Sequence, residues 1–229
     1  MKIIAHRCGT DKFPELTVDS AKYSLSQGAY LVEMDVHFTS DGVAVVSHDA
    51  DCSLFGDKRK IKDMTSDEFL NLEYKDGSGY KASTLESFMK AGIKDILFHI
   101  KVGGEKLLDV LSLCRKYGIE KNVVFGVGNL ADLKTVKEYN SKIKVLAFLY
   151  DLENLQEYGD LGVDFIRLWE GWMTEENIAN VQKTGKELWI MACEEGKLGY
   201  TNSENISKWK KIGVDAVLVN DVCSYLALI

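Results

Sequence analysis

From residue 95 to the C-terminus, short apolar runs alternate with segments of helical period. Residues 95–101 read as a strand, and residues 105–117 as a helix that gathers Leu107, Leu108, Val110, Leu111 and Cys114 on one face. The alternation continues with strand 122–127 and helix 131–139, then strand 144–150 and a short helix at 155–161. After these come strand 164–169 and helix 174–183, strand 187–193 and helix 203–211, and a last strand at 216–219. Asn202 or Ser203 and the Thr174-x-x-Asn177 pattern supply N-caps. Gly118, Gly162, Gly185 and Gly213 each follow a helix, where a left-handed C-cap is needed. Helix–glycine–strand passages of this kind build parallel sheets.

The first half adds strands at 2–5 and 31–38, joined by a helix at 19–26, with a further connection at 85–91. Residues 44–47 extend the second strand in this reading. Strands then start near residues 2, 31, 95, 122, 144, 164, 187 and 216. Eight is the number of a closed (β/α)₈ barrel, the TIM-barrel class of α/β fold, and one barrel occupies ~250 residues. A doubly wound open sheet is the alternative, but no glycine-rich phosphate loop follows the first strand. The expected organisation is one domain over 1–229, interrupted at about 50–83 by a polar, turn-rich insertion placed to cap a pocket.

Composition narrows the partners. The 229 residues carry a net charge of −7, which disfavours nucleic acid and stable association with an anionic membrane. No apolar stretch approaches the ~20 residues of a membrane span, and the N-terminus lacks a signal-peptide core. Five scattered cysteines, Cys8, Cys52, Cys114, Cys193 and Cys223, suit a reducing cytoplasm better than a disulfide framework. The sequence leaves the oligomeric state open.

The residues with chemistry cluster at strand ends, where a parallel barrel does its work. His6-Arg7 closes the first strand, Glu33-x-Asp35 lies in the second, His48-Asp49 follows 44–47, and His99-x-Lys101 ends the third. Glu33 and Asp35, two apart on a strand, face one side and repel unless a proton or cation lies between them. His37 continues that face and reads as a rim or structural histidine. Arg7 at the mouth suits an anion, and Lys101, if buried, needs a counter-charge such as a phosphate. Arg167 and Trp169 share a strand face. If that face is inward, the arginine requires an anion, and both residues join Trp172 and Glu170 as pocket material. Trp189 reads as core or as the floor of a pocket.

The order His6-Arg7, Pro14-Glu15-x-Thr17, Glu33-x-Asp35, Thr39-x-Asp41-Gly42 and His48-Asp49 resembles the glycerophosphodiester phosphodiesterase family, whose signature runs His-Arg-Gly, Pro-Glu-Asn-Thr, Glu-x-Asp, Thr-x-Asp-Gly and His-Asp. The chain's only proline falls in the motif. Thr84-Leu85-Glu86, Trp189 and Gly213-Val214-Asp215 extend the resemblance, which is specific before residue 50 and loose after 101. It implies a (β/α)₈ barrel that hydrolyses glycerophosphodiesters to glycerol 3-phosphate and an alcohol with a divalent ion, usually Mg²⁺ or Ca²⁺. His6 and His48 become the acid/base pair, Glu33 and Asp35 metal ligands, Arg7 and Lys101 the phosphate grip, and Glu15 the support of the first histidine and arginine.

The chain departs from that pattern at several positions. His99 stands where the family's third metal ligand is glutamate. As a ligand or close neighbour it would shift preference toward Mn²⁺ or Zn²⁺. Cys8 replaces the signature glycine and is expected to crowd the phosphate approach if the loop needs glycine geometry, while Leu16 replaces an asparagine. Asn220 stands for the usual aspartate, and Gly126-Val127-Gly128 for Ser-Phe. Both changes are expected to reshape the alcohol side and to spare the core machinery. Two rival functions follow: a non-catalytic or altered-substrate phosphodiester-binding barrel, and a phospholipase-D-like enzyme forming a cyclic phosphate from a lipid. The latter needs an interfacial apolar loop, and the insertion offers only Leu54, Phe55, Phe69 and Leu70.

Overall fold

The computed structural model describes residues 1–229. Eight strands form the barrel: β1 (Lys2–Ala5), β2 (Leu31–Phe38), β3 (Ile96–Ile100), β4 (Val124–Val127), β5 (Lys144–Phe148), β6 (Phe165–Trp169), β7 (Glu187–Met191) and β8 (Ala216–Val219). Each pairs in parallel with its sequence neighbour. Closure comes from β1, which pairs with β8 from Lys2↔Ala216 to Ala5↔Val219 and with β2 at Ile4↔Leu31. That double pairing rules out the open sheet.

Helices follow in order: α1 (Val18–Gln27), α2 (Leu85–Lys90), α3 (Glu105–Lys116), α4 (Leu130–Tyr139), α5 (Leu155–Asp160), α6 (Glu175–Lys183), α7 (Ser203–Lys211) and α8 (Val222–Leu226). None is long and apolar enough to cross a membrane. Their starts are set by side-chain caps, among them Thr17 to the Ser20 N–H, Thr174 to Asn177 and Asn202 to Asn205. The four helix-ending glycines singled out above all have positive φ, between 67° and 87°. Outside the barrel, buried side chains of strands and helices form one continuous layer. Inside, Ile4, Leu97, Leu146, Phe165, Trp189 and Leu218 are among the residues that fill the lumen beneath the mouth.

Residues 44–47 do not extend β2. Ala44–Val46 runs antiparallel to its end, with Val36↔Val46 and Phe38↔Ala44, and Ser83–Thr84 adds a further antiparallel strand. Asp41-Gly42, with Gly42 at φ 82°, is the turn that reverses the chain. Because β3 still pairs with Val36, the returning strand takes the edge of β2 that short β1 leaves free. The Ser47 N–H donates to the Asp35 carbonyl at 3.1 Å, so the next residue, His48, arrives at the mouth.

The insertion also differs from expectation. It holds its own small core, with Phe55 edge-on to Phe69 and Tyr74, and with Ile61, Met64 and Cys52 buried beside them. Phe55 and Phe69 are buried and Leu54 and Leu70 half-buried, so these four do not form an exposed apolar loop. Tyr74 donates to the Glu15 carbonyl at 2.8 Å and Tyr80 to Asp19 at 2.7 Å. The insertion therefore braces the loop between β1 and α1, and none of its residues lines the barrel-mouth cavity.

Candidate active site

Alternation along the strands decides what faces the lumen. Glu33 and Asp35 on β2, His99 on β3, Phe148 on β5, Arg167 and Trp169 on β6, and Met191 on β7 converge with His6 and His48 on one cavity, joined by Tyr150, Leu198 and Leu218. Its empty volume, open mouth included, is about 470 Å³. The carboxylates and three of the four histidines lie on the β1–β3 side. The opposite side is aromatic and apolar, with Arg167 as its charge.

Glu33 and Asp35 are both 1% exposed. Glu33 Oε2 accepts the Arg7 backbone N–H at 2.8 Å. Burial, and then the charge of Asp35, push the Glu33 carboxyl up to about 8. Burial would raise Asp35 as well, but the contacts with His99 and Lys101 outweigh it and hold this carboxyl well below its ordinary range. The Lys101 ammonium sits 2.7 Å from Asp35 Oδ1 and 3.0 Å from His99 Nδ1. His99 Nδ1 also lies 3.1 Å from Asp35 Oδ1, so it faces an ammonium and a carboxylate at once, and burial lowers the pKa of the ring. Asp35 Oδ2 is buried with no hydrogen bond at all. One donor atom each from Glu33, Asp35 and His99 lie within 4.8 Å of one another. A lone ammonium in this nest, an unpartnered carboxylate oxygen and a second acid pushed toward protonation together mark a donor set short of positive charge. It fits a divalent ion.

His6 stands on the turn after β1. Its Nδ1 lies 2.6 Å from Asn220 Oδ1, and Asn220 Nδ2 donates to the Leu198 carbonyl at 3.0 Å. A carbonyl only accepts, so the amide orientation is fixed and Nδ1 must carry the proton, leaving Nε2 as the acceptor. Gly199 makes room for that amide, since a Cβ there would meet Asn220 Oδ1 at 2.2 Å. Burial brings His6 down to about 4, so the ring is neutral near pH 7. Asn220, expected on the alcohol side, is instead the partner of His6. The sequence held the signal, a departure from aspartate at the end of β8, but not its target. His48 is set differently: its Nδ1 bonds Asp49 Oδ1 at 2.8 Å, and its carbonyl accepts from His37 Nε2 at 3.2 Å. His37 is the structural anchor expected of it.

The remaining assignments divide. Arg7 pairs with Glu15 at 3.2 and 3.3 Å, as the resemblance implies, whereas the His6 side chain hydrogen-bonds Asn220 and not Glu15. Neither Arg7 nor Lys101 lines the cavity. Trp189 lies a layer deeper, stacked on Phe165 at 4.3 Å, with Nε1 donating to Glu187, so Met191 takes its place at the pocket. Glu170 is structural, accepting from Cys193 N, Thr201 Oγ1 and Asn205 Nδ2. Trp172 packs outward against the helix layer.

Cys8 does not crowd the mouth. Its side chain is fully buried, with Sγ 3.7 Å from the Glu33 carbonyl. The missing glycine shows up as strain instead: Cys8 has φ of 68°, and Arg7 before it and Leu16, whose N–H donates to the Arg7 carbonyl, are left-handed too at 50° and 56°. A left-handed residue costs roughly 1–2 kcal/mol. At Leu16 that cost is matched or exceeded by burying the whole side chain, worth about 1.5–3 kcal/mol.

Gly126 organises the far wall. A Cβ there would stand 1.8 Å from Phe148 Cε2 and 2.8 Å from the Phe98 carbonyl, so only glycine lets Phe148 lie across β4. Phe148 thereby stacks on His99 at 4.4 Å and 20°. Gly126→Ala is expected to cost about 1–3 kcal/mol of stability in urea unfolding, because the ring must leave its place.

Residues 6–223 match the family described as the glycerophosphoryl diester phosphodiesterase family. Over 239 residues, 96% of this chain and 93% of the relative, the sequence is 27% identical to a glycerophosphodiester phosphodiesterase of Caldanaerobacter subterraneus subsp. tengcongensis. Among solved structures, a glycerophosphodiester phosphodiesterase from Thermotoga maritima superimposes with a TM-score of 0.78 at 25% identity, covering 99% of this chain and 97% of that one. A phosphodiesterase from Oleispira antarctica, solved with the product sn-glycerol-3-phosphate, reaches 0.85 at 16% identity over 100% and 96%. With the family match spanning the barrel and its mouth, the chain belongs to the glycerophosphoryl diester phosphodiesterase family of phosphoric diester hydrolases.

Proposed function

We propose that this chain hydrolyses a glycerophosphodiester to glycerol 3-phosphate and an alcohol, with His6 and His48 exchanging the protons. The observation that carries the reading is that two histidines, each with Nδ1 tied to an acceptor (Asn220 Oδ1 for His6, the Asp49 carboxylate for His48) and Nε2 left free, open on the same cavity as the buried Glu33–Asp35 pair. The named activities of the Caldanaerobacter and Thermotoga relatives point the same way.

Glu33, Asp35 and His99 would hold the divalent ion. When bound, the ion supplies Lewis-acid stabilisation of the phosphoryl oxygens. His6, neutral and donating from Nδ1 to Asn220, takes the proton of the attacking oxygen on Nε2. His48 gives a proton to the departing alkoxide, and Asp49 balances the charge of that ring while it is protonated. Phe148, Trp169, Met191, Leu198 and Leu218 keep the alcohol side apolar. All five cysteines are free, and we expect the enzyme to act in the reducing cytoplasm on a soluble substrate.

His99→Glu tests the ion. The wild type should prefer Mn²⁺ or Zn²⁺, and the variant should move toward Mg²⁺ and Ca²⁺ in calorimetric titrations. Identical preferences in both would remove His99 from the ligand set. Asn220→Asp tests the base. A carboxylate in place of the amide favours the imidazolium, so the acidic limb of kcat/KM against pH should move up by roughly 1–3 units. An unmoved limb would show that His6 does not set it.

A further inference from the structure

Arg167 is the charged group of the cavity to which the proposed reaction gives no task. It is 3% exposed, and its side chain forms neither an ion pair nor a hydrogen bond. Nε and Nη1 are fully buried and unpaired. The guanidinium is held by faces rather than by partners, 4.1 Å over the Trp169 ring and 5.0 Å over the Phe148 ring. These π contacts position the group without consuming its donors. Leaving such donors empty in a buried site is costly, whereas the guanidinium suits phosphate and carboxylate oxygens.

The other two cations are already occupied. Arg7 is tied to Glu15 and lies outside the cavity lining, and Lys101 is spent on Asp35 and His99. The scaffold around Arg167 is specific as well: Gly126 admits Phe148, which stacks on His99 with one contact and meets Arg167 with another. We propose that Arg167 is a substrate-binding residue that takes an anionic oxygen of the substrate from the aromatic side of the cavity, opposite the carboxylates. This deepens the diesterase reading and rests on it. The oxygen belongs either to the scissile phosphoryl group or to an acidic group on the alcohol.

Three readouts on the full chain test this: binding of inorganic phosphate and glycerol 3-phosphate by calorimetry, thermal unfolding with and without phosphate, and kcat/KM on two diesters. One diester releases glycerol, the other an α-hydroxy acid. In Arg167→Met, anion binding is expected to weaken about 10- to 100-fold, the loss of charge-assisted hydrogen bonds. The unliganded variant should melt no lower than wild type, since an unpaired buried cation has been removed, and its phosphate-induced rise in Tm should vanish. A fall in kcat/KM on both diesters assigns the oxygen to the scissile group, and a fall on the hydroxy-acid diester alone assigns it to the alcohol. Phosphate binding and both rates within twofold of wild type would overturn the proposal, as would a lower Tm with the phosphate response intact, the mark of a structural pin. Arg167→Lys guards against misfolding: it keeps the charge but not the plane and should bind phosphate several-fold more weakly, and equal binding would count against the proposal. Were wild type to bind phosphate through Arg167 but cleave no diester, the diesterase reading would fail while this inference stood.

Discussion

His6→Ala and His48→Ala are each expected to lower kcat by about 10²- to 10⁴-fold, the usual worth of a positioned acid or base. The two losses should differ in character. His6 is 6% exposed and bonded to Asn220, so its removal strips the base and leaves a buried amide oxygen unpaired, with some loss of stability. His48 is half-buried at the rim, tied mainly to Asp49, and its removal should leave thermal stability close to wild type. Substrates with activated leaving groups discriminate further. A p-nitrophenyl diester needs little protonation of its leaving oxygen, so it should largely rescue His48→Ala but not His6→Ala. Rescue of both, or of His6→Ala alone, would reverse or dissolve the assigned roles. Steady-state kinetics on the two diester types decides.

Asp35→Asn should be as damaging. Its carboxylate is the one that ion-pairs with Lys101 and keeps an unpartnered oxygen, and losing it should remove tight divalent binding and about 10²-fold or more of activity. The companion effect is one of pH. In the ion-free protein, Glu33 is raised from 4.5 to about 8, so between those values the folded state binds more protons than the unfolded state. The stability this group contributes is therefore complete below about pH 4.5 and is lost as pH rises toward 8. A divalent ion replaces that proton, so the ion-induced gain in Tm should grow across the same window in wild type and shrink in Asp35→Asn, where the like-charge partner is gone. Thermal melts from pH 5 to 8.5, with and without Mn²⁺, measure it. A gain that falls with rising pH in wild type would contradict the placement of the ion.

Local periodicity made the barrel legible. Strand starts, helix faces and the glycine stops at 118, 162, 185 and 213 are encoded within a few residues of where they act, so they survive without tertiary information. Glu33-x-Asp35 was legible for the same reason, because spacing on a strand fixes a shared face. What sequence could not show depends on partners far along the chain. Asn220 reaches His6 across 214 positions, and the cavity role of Gly126 exists only because Phe148 lies over it. Asp41-Gly42 is a turn-forming pair, yet whether the strand after it continues β2 or returns along it depends on β1 ending early. The insertion is polar in composition. Its few aromatic residues instead gather into a private core, which turns it away from the pocket and against the β1–α1 loop. Trp189 shows the limit of placing a residue by strand alone: one pleat deeper, it belongs to the floor of the lumen, beside the Lys2–Glu187 pair.

The groups gathered at this mouth are proposed to cleave glycerophosphodiesters. Incubating the purified chain with glycerophosphoglycerol and each of Mn²⁺, Zn²⁺, Mg²⁺ and Ca²⁺, and following glycerol 3-phosphate by a coupled assay, tests it most directly. Release with at least one ion, lost on chelation and reduced at least 10²-fold in His6→Ala, is the result the geometry requires. No release with any ion, or equal release from the variant, would contradict it.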